Sequence, residues 1–434
     1  MRIAVSKQGI TRIQAVVLAG VIIVAACVGT IAIHFLQQGP TAQVRDYYKV
    51  GVIIELTGDI ARAGYLAKRG YDIAVNKVNE KGTITIDGKT YRIELTYYDA
   101  KSDPSEAAKA VEKAASDGVD FLLGPESSVC TLGAAPMCEK LKLPMVTGSA
   151  ESHLIPEQHY RYTFQILLTT RETPEGLLKC MVEDYKLPIR TVAIIGADDA
   201  FSKSWCENAK AACEKRGLEV VLFETYPLGI TDLTPTLTKI KDKNPDVLIN
   251  GAFPVNHALL VRNCREIGFN PKVLAVYWGV EAADFIDEVK EDANYVIGPT
   301  QWSPETGWSC PVFGSAQGFA DEFEKTFGHL PDYTEAGCAA TPVFIAEVLK
   351  NYKLTPPFDQ EKKEKFVNAL EEYTCEIFFG RVKFSTESEH WHVNTALVET
   401  MVVYQIINGK PLIVSPLKAK EADLVFPKPP WGSP

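Results

Sequence analysis

No lysine, arginine, aspartate or glutamate occurs between Arg12 and Arg45 of this 434-residue chain. So long a stretch without charge excludes an ordinary water-facing segment. The chain also has no GxSxG, HExxH, Walker or GxGxxG pattern, which removes the usual sequence warrants for hydrolase, metalloprotease, NTPase or dinucleotide chemistry. Ten cysteines are present but no CxxC pair, so the spacing argues against a zinc site. Basic charge is scarce as well. After the first three basic residues the chain carries 42 Lys plus Arg against 55 Asp plus Glu, a balance that disfavours nucleic acid or anionic lipid as the main partner.

What fills the uncharged gap is apolar. From Ala15 to Ile33 only Gly20, Gly29 and Thr30 interrupt it. At a rise of ~1.5 Å per residue a helix there nearly crosses a hydrocarbon core of roughly 30 Å, and Ile13 and Phe35 complete the span. Arg2, Lys7 and Arg12 all precede it, which leaves residues 1–12 in the cytoplasm and sends the remainder outside. The length favours a retained membrane anchor at 13–36 over a cleaved secretory signal, whose apolar core runs only ~7–15 residues. Val24-Ala25-Ala26-Cys27 also resembles a lipoprotein cleavage box, although the chain stays apolar through Leu36. Lys7-Gln8-Gly9-Ile10-Thr11 looks like an archaeal class III, pilin-like signal, cut before the apolar run so that the run is kept.

Beyond a linker at 37–47 the length exceeds what one hydrophobic core usually serves, so two domains are expected. Nine cysteines lie there, at 130, 138, 180, 206, 213, 264, 310, 338 and 375. An odd number leaves at least one unpaired. Cys206 and Cys213 sit on one predicted helix face but roughly 10 Å apart, too far to bridge, and read as core thiols or partners of other elements.

Short apolar runs alternate with amphipathic stretches for about 250 residues. Strands are expected at 49–54, 93–98, 121–123, 145–147, 192–195, 220–223, 247–249, 273–276 and 295–297. Helices are expected at 65–79, 105–116, 132–141, 175–185, 203–216, 236–241, 256–267 and 284–289. Fully apolar strands that alternate with helices imply an α/β fold with parallel, doubly wound sheets covered on both faces. Residues 160–173 show neither period and divide two βα series. Pro299, Pro304, Gly307 and Pro311 mark a second crossing, before helices at 317–326, 336–352 and 362–373. Antiparallel strands at 378–384 and 397–407 follow, the latter turned by Asn408-Gly409 into 412–414. Such an order suits two lobes visited alternately: 48–168 with about 303–375, and 169–299 with about 378–416, leaving a tail at 417–434.

Several segments then match a family. Thr57-Gly58, GYDIAVNKVNEKG (Gly70–Gly82), YYDAKSDPSEAAKAVEKAASDGVDFLLGPESS (Tyr97–Ser128), PMCEKLKLPMVTGSA (Pro136–Ala150), TVAIIGADDAFSKSW (Thr191–Trp205), FFGRVKFSTE (Phe378–Glu387) and VVYQIINGKP (Val402–Pro411) occur in one order. Together they resemble the extracytoplasmic leucine/isoleucine/valine-binding proteins of ABC importers, which have the two-lobed type I periplasmic-binding (clamshell) fold. The resemblance implies capture of a small ligand without catalysis or cofactor, followed by delivery to a membrane permease driven by an ATPase. A ligand-sensing receptor ectodomain is the alternative, for which a second membrane span and an output domain are expected after the clamshell.

The resemblance places the first-lobe site at Ser127, Ser128, Ser149 and Ala150. Both segments follow strands, and the free N–H groups of the helix after Ser127 would favour a ligand carboxylate, although Ser127 and Ser128 also suit plain helix capping. On the other side Phe201 and Phe253 stand where the amino-acid binders carry Tyr. The family's acidic acceptor of the ligand ammonium is replaced by Tyr277-Trp278-Gly279-Val280, with Glu281 displaced onward. An ordinary α-amino acid therefore needs Asp199, Glu151 or Glu281 as a substitute partner; Asp199 reads equally as a helix cap. Ala63 replaces an aromatic cover and leaves more room. The expected pocket is walled by Phe201, Phe253 and Trp278 and accepts an amino acid, an amide, or an apolar or aromatic acid. His390-Trp391-His392 reads as an exposed turn rather than a metal site.

Overall fold

The computed structural model describes residues 45–432. The expected anchor at 13–36 and the residues before it lie outside that range. Among the described residues no helix is long and apolar enough to cross a membrane.

Two sheets organise the chain. The first contains β1 (Tyr47–Ile54), β2 (Arg92–Asp99), β3 (Phe121–Leu123), β4 (Met145–Thr147) and β5 (Thr163–Gln165) in the order β2-β1-β3-β4-β5, and every pairing is parallel. The second contains β6 (Thr191–Ala197), β7 (Glu219–Tyr226), β8 (Val247–Gly251), β9 (Val273–Tyr277), β10 (Ile297–Thr300), β11 (Val402–Ile407) and β12 (Lys410–Ser415), in the order β12-β11-β10-β9-β8-β6-β7. It is parallel from β7 to β10 and antiparallel at β11 and β12. Interior strands such as β8 and β9 are buried at every residue, whereas the edge strand β2 alternates with solvent. That difference is why the interior strands read as unbroken apolar runs and β2 as a mixed one.

Helices α1 (Ala61–Glu80), α2 (Pro104–Ser116), α3 (Ser128–Leu141), α4 (Glu172–Lys179), α5 (Ala200–Lys215), α6 (Thr234–Lys243), α7 (Pro254–Glu266) and α8 (Ala283–Val289) fall between the strands. Then α9 (Ala316–Phe327), α10 (Tyr333–Asn351) and α11 (Gln360–Glu372) follow in succession. Their starts are those the caps require. Asp103 accepts from the N–H groups of Ser105 (2.8 Å) and Glu106 (3.0 Å), and Pro104 occupies the first turn, where no N–H is missed. Helix α10 is buried almost all round and packs on α1, so the chain returns to the first sheet after leaving the second. Gly70 makes that approach possible, since a Cβ there would lie 2.2 Å from the Glu335 carbonyl oxygen.

Four expectations are corrected. Residues 160–173 hold β5 and the start of α4, missed because a three-residue strand is too short to show a period. The helix expected through Tyr185 stops being α-helical at Lys179 and continues as one π-helical turn, Cys180–Asp184. The strand expected at 378–384 is instead a small hairpin of Cys375–Ile377 and Gly380–Val382, reversed over Phe378-Phe379 with Gly380 at φ +130. The first part of the strand expected at 397–407 is a 3-10 turn, Thr395–Glu399. The Asn408-Gly409 turn has positive φ at both residues, as a tight hairpin of right-twisted strands demands. All nine cysteines from Cys130 onward are unpaired thiols, and all but Cys375 are buried.

Candidate ligand-binding cleft

In parallel α/β sheets the crevice beyond the carboxyl ends of the strands is where loops and helix N-termini converge. Here two such ends face each other. After β3 come Glu126, Ser127 and Ser128; after β4, Ser149 and Glu151; after β6, Asp199 and Phe201; after β8, Phe253; after β9, Trp278. With Thr334 in the first turn of α10 they line one narrow cleft. Seven of the eight expected site residues thus meet at one place. The eighth, Ala150, is buried behind it and does not line it.

The first-sheet wall is polar, and most of its donors are already engaged. Glu55, fully buried at the end of β1, accepts from the N–H groups of Glu126 and Ser127 (3.1 Å each) and from Ser127 Oγ (2.5 Å). Ser127 Oγ also accepts from Cys130 N–H at 3.2 Å and so caps α3. Ser128 Oγ accepts from the N–H groups of Glu151 (3.2 Å) and Ser152 (3.0 Å). Thr147 Oγ1 accepts from those of Ser149 (3.4 Å) and Ala150 (3.1 Å), while Ser149 Oγ donates to the Glu126 carbonyl at 3.1 Å. The Ser127 and Ala150 donors expected to hold a ligand carboxylate therefore have protein acceptors. Glu126 is the exception on this wall. It is only 6% exposed and its Oε2 has no hydrogen-bond partner. Burial, then the neighbouring Glu55, Asp332, Glu151 and Asp199, push its carboxyl well above the ordinary range.

The opposite wall is aromatic. The Phe201 and Phe253 rings meet edge to face at 5.9 Å, as do Phe253 and Trp278 at 5.6 Å. Behind them Tyr277 is stacked between Trp205 (5.0 Å) and Tyr333 (6.0 Å). Asp199 combines both of its expected roles in one carboxylate. Its Oδ1 caps α5 by accepting from Phe201 N–H (2.9 Å) and Ser202 N–H (3.1 Å), and its Oδ2 is buried without a hydrogen-bond partner, with the Ser202 side chain beside the carboxylate.

Glu151 joins the two walls. Its Oε1 accepts from Tyr333 OH (2.7 Å), and its Oε2 from Tyr277 OH (2.5 Å) and Gln301 Nε2 (2.8 Å). Three donors from α10, β9 and the end of β10 thus converge on an acid that follows β4. Burial still pushes its pKa up to about 8. Both oxygens being engaged, Glu151 is a knot between the sheets rather than a spare partner for a ligand. Glu281 does not line the cleft; its Oε1 accepts from Thr300 Oγ1 at 2.7 Å, and burial raises its pKa to about 7. At the rim Arg62 on α1 grips Asp284 on α8 through Nε and Nη2, 2.6 Å each. Ala63 belongs to a wider outer groove with Arg62, Leu66, Pro254 and Val255, which shares Phe253 and Trp278 with the inner cleft.

Sequence reasoning missed Glu55, Glu126 and Thr334. Glu126 was readable only as the odd acid between Pro125 and two serines, and nothing local marks Glu55 as the acceptor for a loop some 70 residues away. His392 corrects the reading of an exposed turn. It is buried and stacked on Phe164 at 3.9 Å, with Nε2 3.1 Å from Glu371. His390 Nε2 lies 2.9 Å from Glu172. Among the described residues no cluster of His, Cys, Asp or Glu is arranged to hold a metal ion.

Comparison with known proteins places these features in a family. A family model described as "Periplasmic binding protein" matches residues 48–410. The leucine-, isoleucine-, valine-, threonine- and alanine-binding protein of Pseudomonas aeruginosa is 24% identical over 229 residues, 53% of this chain and 60% of that protein. A Leu/Ile/Val-binding protein of Rhizobium johnstonii is 25% identical over 225 residues, with 52% and 60% covered. The matches span about three fifths of the length of these curated relatives. Among solved structures, a leucine-binding protein from Thermotoga maritima superposes with a TM-score of 0.71 at 20% identity, covering 84% of this chain and 97% of that one. The branched-chain amino acid transporter substrate-binding protein of Streptococcus pneumoniae, in complex with isoleucine, gives 0.70 at 21%, covering 88% and 100%. A solute-binding protein of an ABC transporter from Rhodopseudomonas palustris, in complex with 3,4-dihydroxybenzoic acid, gives 0.68 at 20%, covering 85% and 95%. At these identities the likeness establishes the fold.

Proposed function

This chain belongs to the periplasmic binding protein family, and we propose that it is the extracytoplasmic solute-binding component of an ABC importer. It captures one small solute between two lobes, 48–168 with 303–375 and 169–299 with 378–416, and delivers it unchanged to a permease and its ATPase. The observation that carries this reading is the convergence of seven of the eight expected site residues, drawn from distant segments, on one cleft between the strand ends of two sheets. Relatives bearing the names of amino-acid binders, and a structural neighbour holding an aromatic acid, support a ligand of amino-acid size.

The mechanism is a two-state hinge. Ligand contacts completed only when the walls meet bias the closed state by the difference in affinity for the two forms. Residues 13–36 anchor the protein to the outer face of the membrane, where binding raises the local supply of solute to the permease.

Small-angle scattering and thermal unfolding of residues 45–434 against amino acids, amides, amines and aromatic acids test the capture. A binding solute is expected to raise the melting temperature by mass action and to compact the molecule. A solute that stabilises without compaction would refute closure, and its chemical conversion would refute passive capture. Membrane fractionation tests the anchor: a mature chain beginning after Gly39 in the soluble fraction would overturn it.

A further inference from the structure

We propose that the cleft is built for an organic ammonium ion, a small amine with an apolar or aromatic body, and that a ligand carboxylate is not what holds it. The inference rests on the solute-capture reading and names the chemical class of the solute.

The cleft is lined by three acids, Glu126, Glu151 and Asp199, and by no Lys, Arg or His. Glu151 is saturated by three donors, but Glu126 Oε2 and Asp199 Oδ2 are buried acceptors without a partner, one on each wall. Groups in that state cost free energy until a donor reaches them. An ammonium carries up to three N–H donors to offer such acceptors, with the charge assistance that makes such bonds the stronger kind. The aromatic wall serves the same end, since Phe201, Phe253 and Trp278 line the cleft and bury the apolar body of such a ligand.

A carboxylate meets the opposite environment. Just before the N-terminus of α3, the Glu126 and Ser127 N–H groups and the Ser127 hydroxyl already hold the Glu55 carboxylate, and Ser127 Oγ takes the Cys130 N–H of the first turn. Asp332, capping α10, adds a further buried acid. At the rim Arg62 is paired with Asp284, and Arg69 on the same helix lies 3.8 Å from Glu335. A carboxylate would enter a low-dielectric site lined by acids and by no basic group, where its charge finds no counter-ion.

Two matched ligand sets test this by thermal shift and calorimetry: 2-phenylethylamine, phenylalanine, 3-phenylpropanoate and 3-phenylpropanamide, and the corresponding 3-methylbutyl compounds including leucine. The amines are expected to bind best, at least tenfold tighter than the zwitterions, with the acids weakest. Because a cation favours ionised carboxylates, amine binding should release protons, seen as a dependence of the binding heat on buffer ionisation. The isosteric Glu126→Gln should weaken the amines at least tenfold and narrow the gap to the acids; if it fails to fold, proton release in the unaltered protein decides alone. If an acid or amide binds and the amine does not, the ammonium inference falls while solute capture stands. If none of the eight binds, the ammonium inference falls, and solute capture is judged by the wider panel of amino acids, amides and aromatic acids.

Discussion

The two walls of the cleft solve the same folding problem in opposite ways. On the first-sheet side the loops after β1, β3 and β4 are polar, and Glu55, Thr147 and Ser128 consume the N–H groups of residues 126, 127 and 149–152. On the second-sheet side the same topological positions carry Phe201, Phe253 and Trp278, which pack on one another and on Tyr277. Ring-to-ring contacts need no hydrogen-bond partner and tolerate rearrangement, although the Trp278 indole N–H is buried without an acceptor. The comparison teaches that the polar wall is pre-wired and the aromatic wall adaptable, with Glu151 as the knot between them.

The contrast is most severely tested at the knot. Glu151→Ala strands Tyr277 OH, Tyr333 OH and Gln301 Nε2 in a buried network, so a loss of about 3 kcal/mol is expected in urea unfolding. Glu151→Gln, which keeps an acceptor, should lose less than half of that; equal losses would show that the acceptor is irrelevant. Next comes the pre-wired wall. Glu55→Ala leaves two N–H groups and the Ser127 hydroxyl without their acceptor and should cost about 2 kcal/mol, whereas a Phe253→Leu change in the adaptable wall should cost about 1 kcal/mol. A reversed order would invert the comparison.

The third test is pH. The Glu151 carboxyl is raised from its ordinary 4.5 to about 8, Glu281 to about 7 and Asp332 from 3.8 to about 6, each chiefly by burial. A folded state that holds these protons more tightly than the unfolded chain is favoured while they stay bound. The contribution is therefore complete below about pH 4 and lost as pH rises through 6 to 8. Chemical unfolding of the ligand-free protein should show stability declining from pH 5 to pH 8, with a shallower decline in Glu151→Gln. The smallest effect is expected at the rim. Arg62 and Asp284 are 59% and 40% exposed, so Arg62→Ala should change stability by less than about 1 kcal/mol in salt, and a larger loss would make the rim a second knot.

Much of the fold was legible along the chain. Interior strands such as Val247–Gly251 and Val273–Tyr277 are buried at every residue, so their apolar runs stand out, and Asp103-Pro104 announces α2 through capping chemistry. Elements of three residues, such as Thr163–Gln165, leave no periodic trace. The site residues were legible through the family resemblance, which placed them at the ends of strands. Their chemistry was not, because it depends on which acceptors reach them from elsewhere.

What the sequence by itself determined is therefore local: parallel α/β layering from apolar runs, helix starts from caps, an acidic balance, and a set of loop residues at strand ends. Only the tertiary structure decided how those loops are used. Glu55 and Ser127 are 72 positions apart, and Glu151 and Tyr333 182 apart. Whether a hydroxyl is free for a ligand, or a carboxylate is buried without a donor, is a property of the packed neighbourhood. Local composition sets what each group can do, but burial and partners drawn from distant segments set what it is left to do.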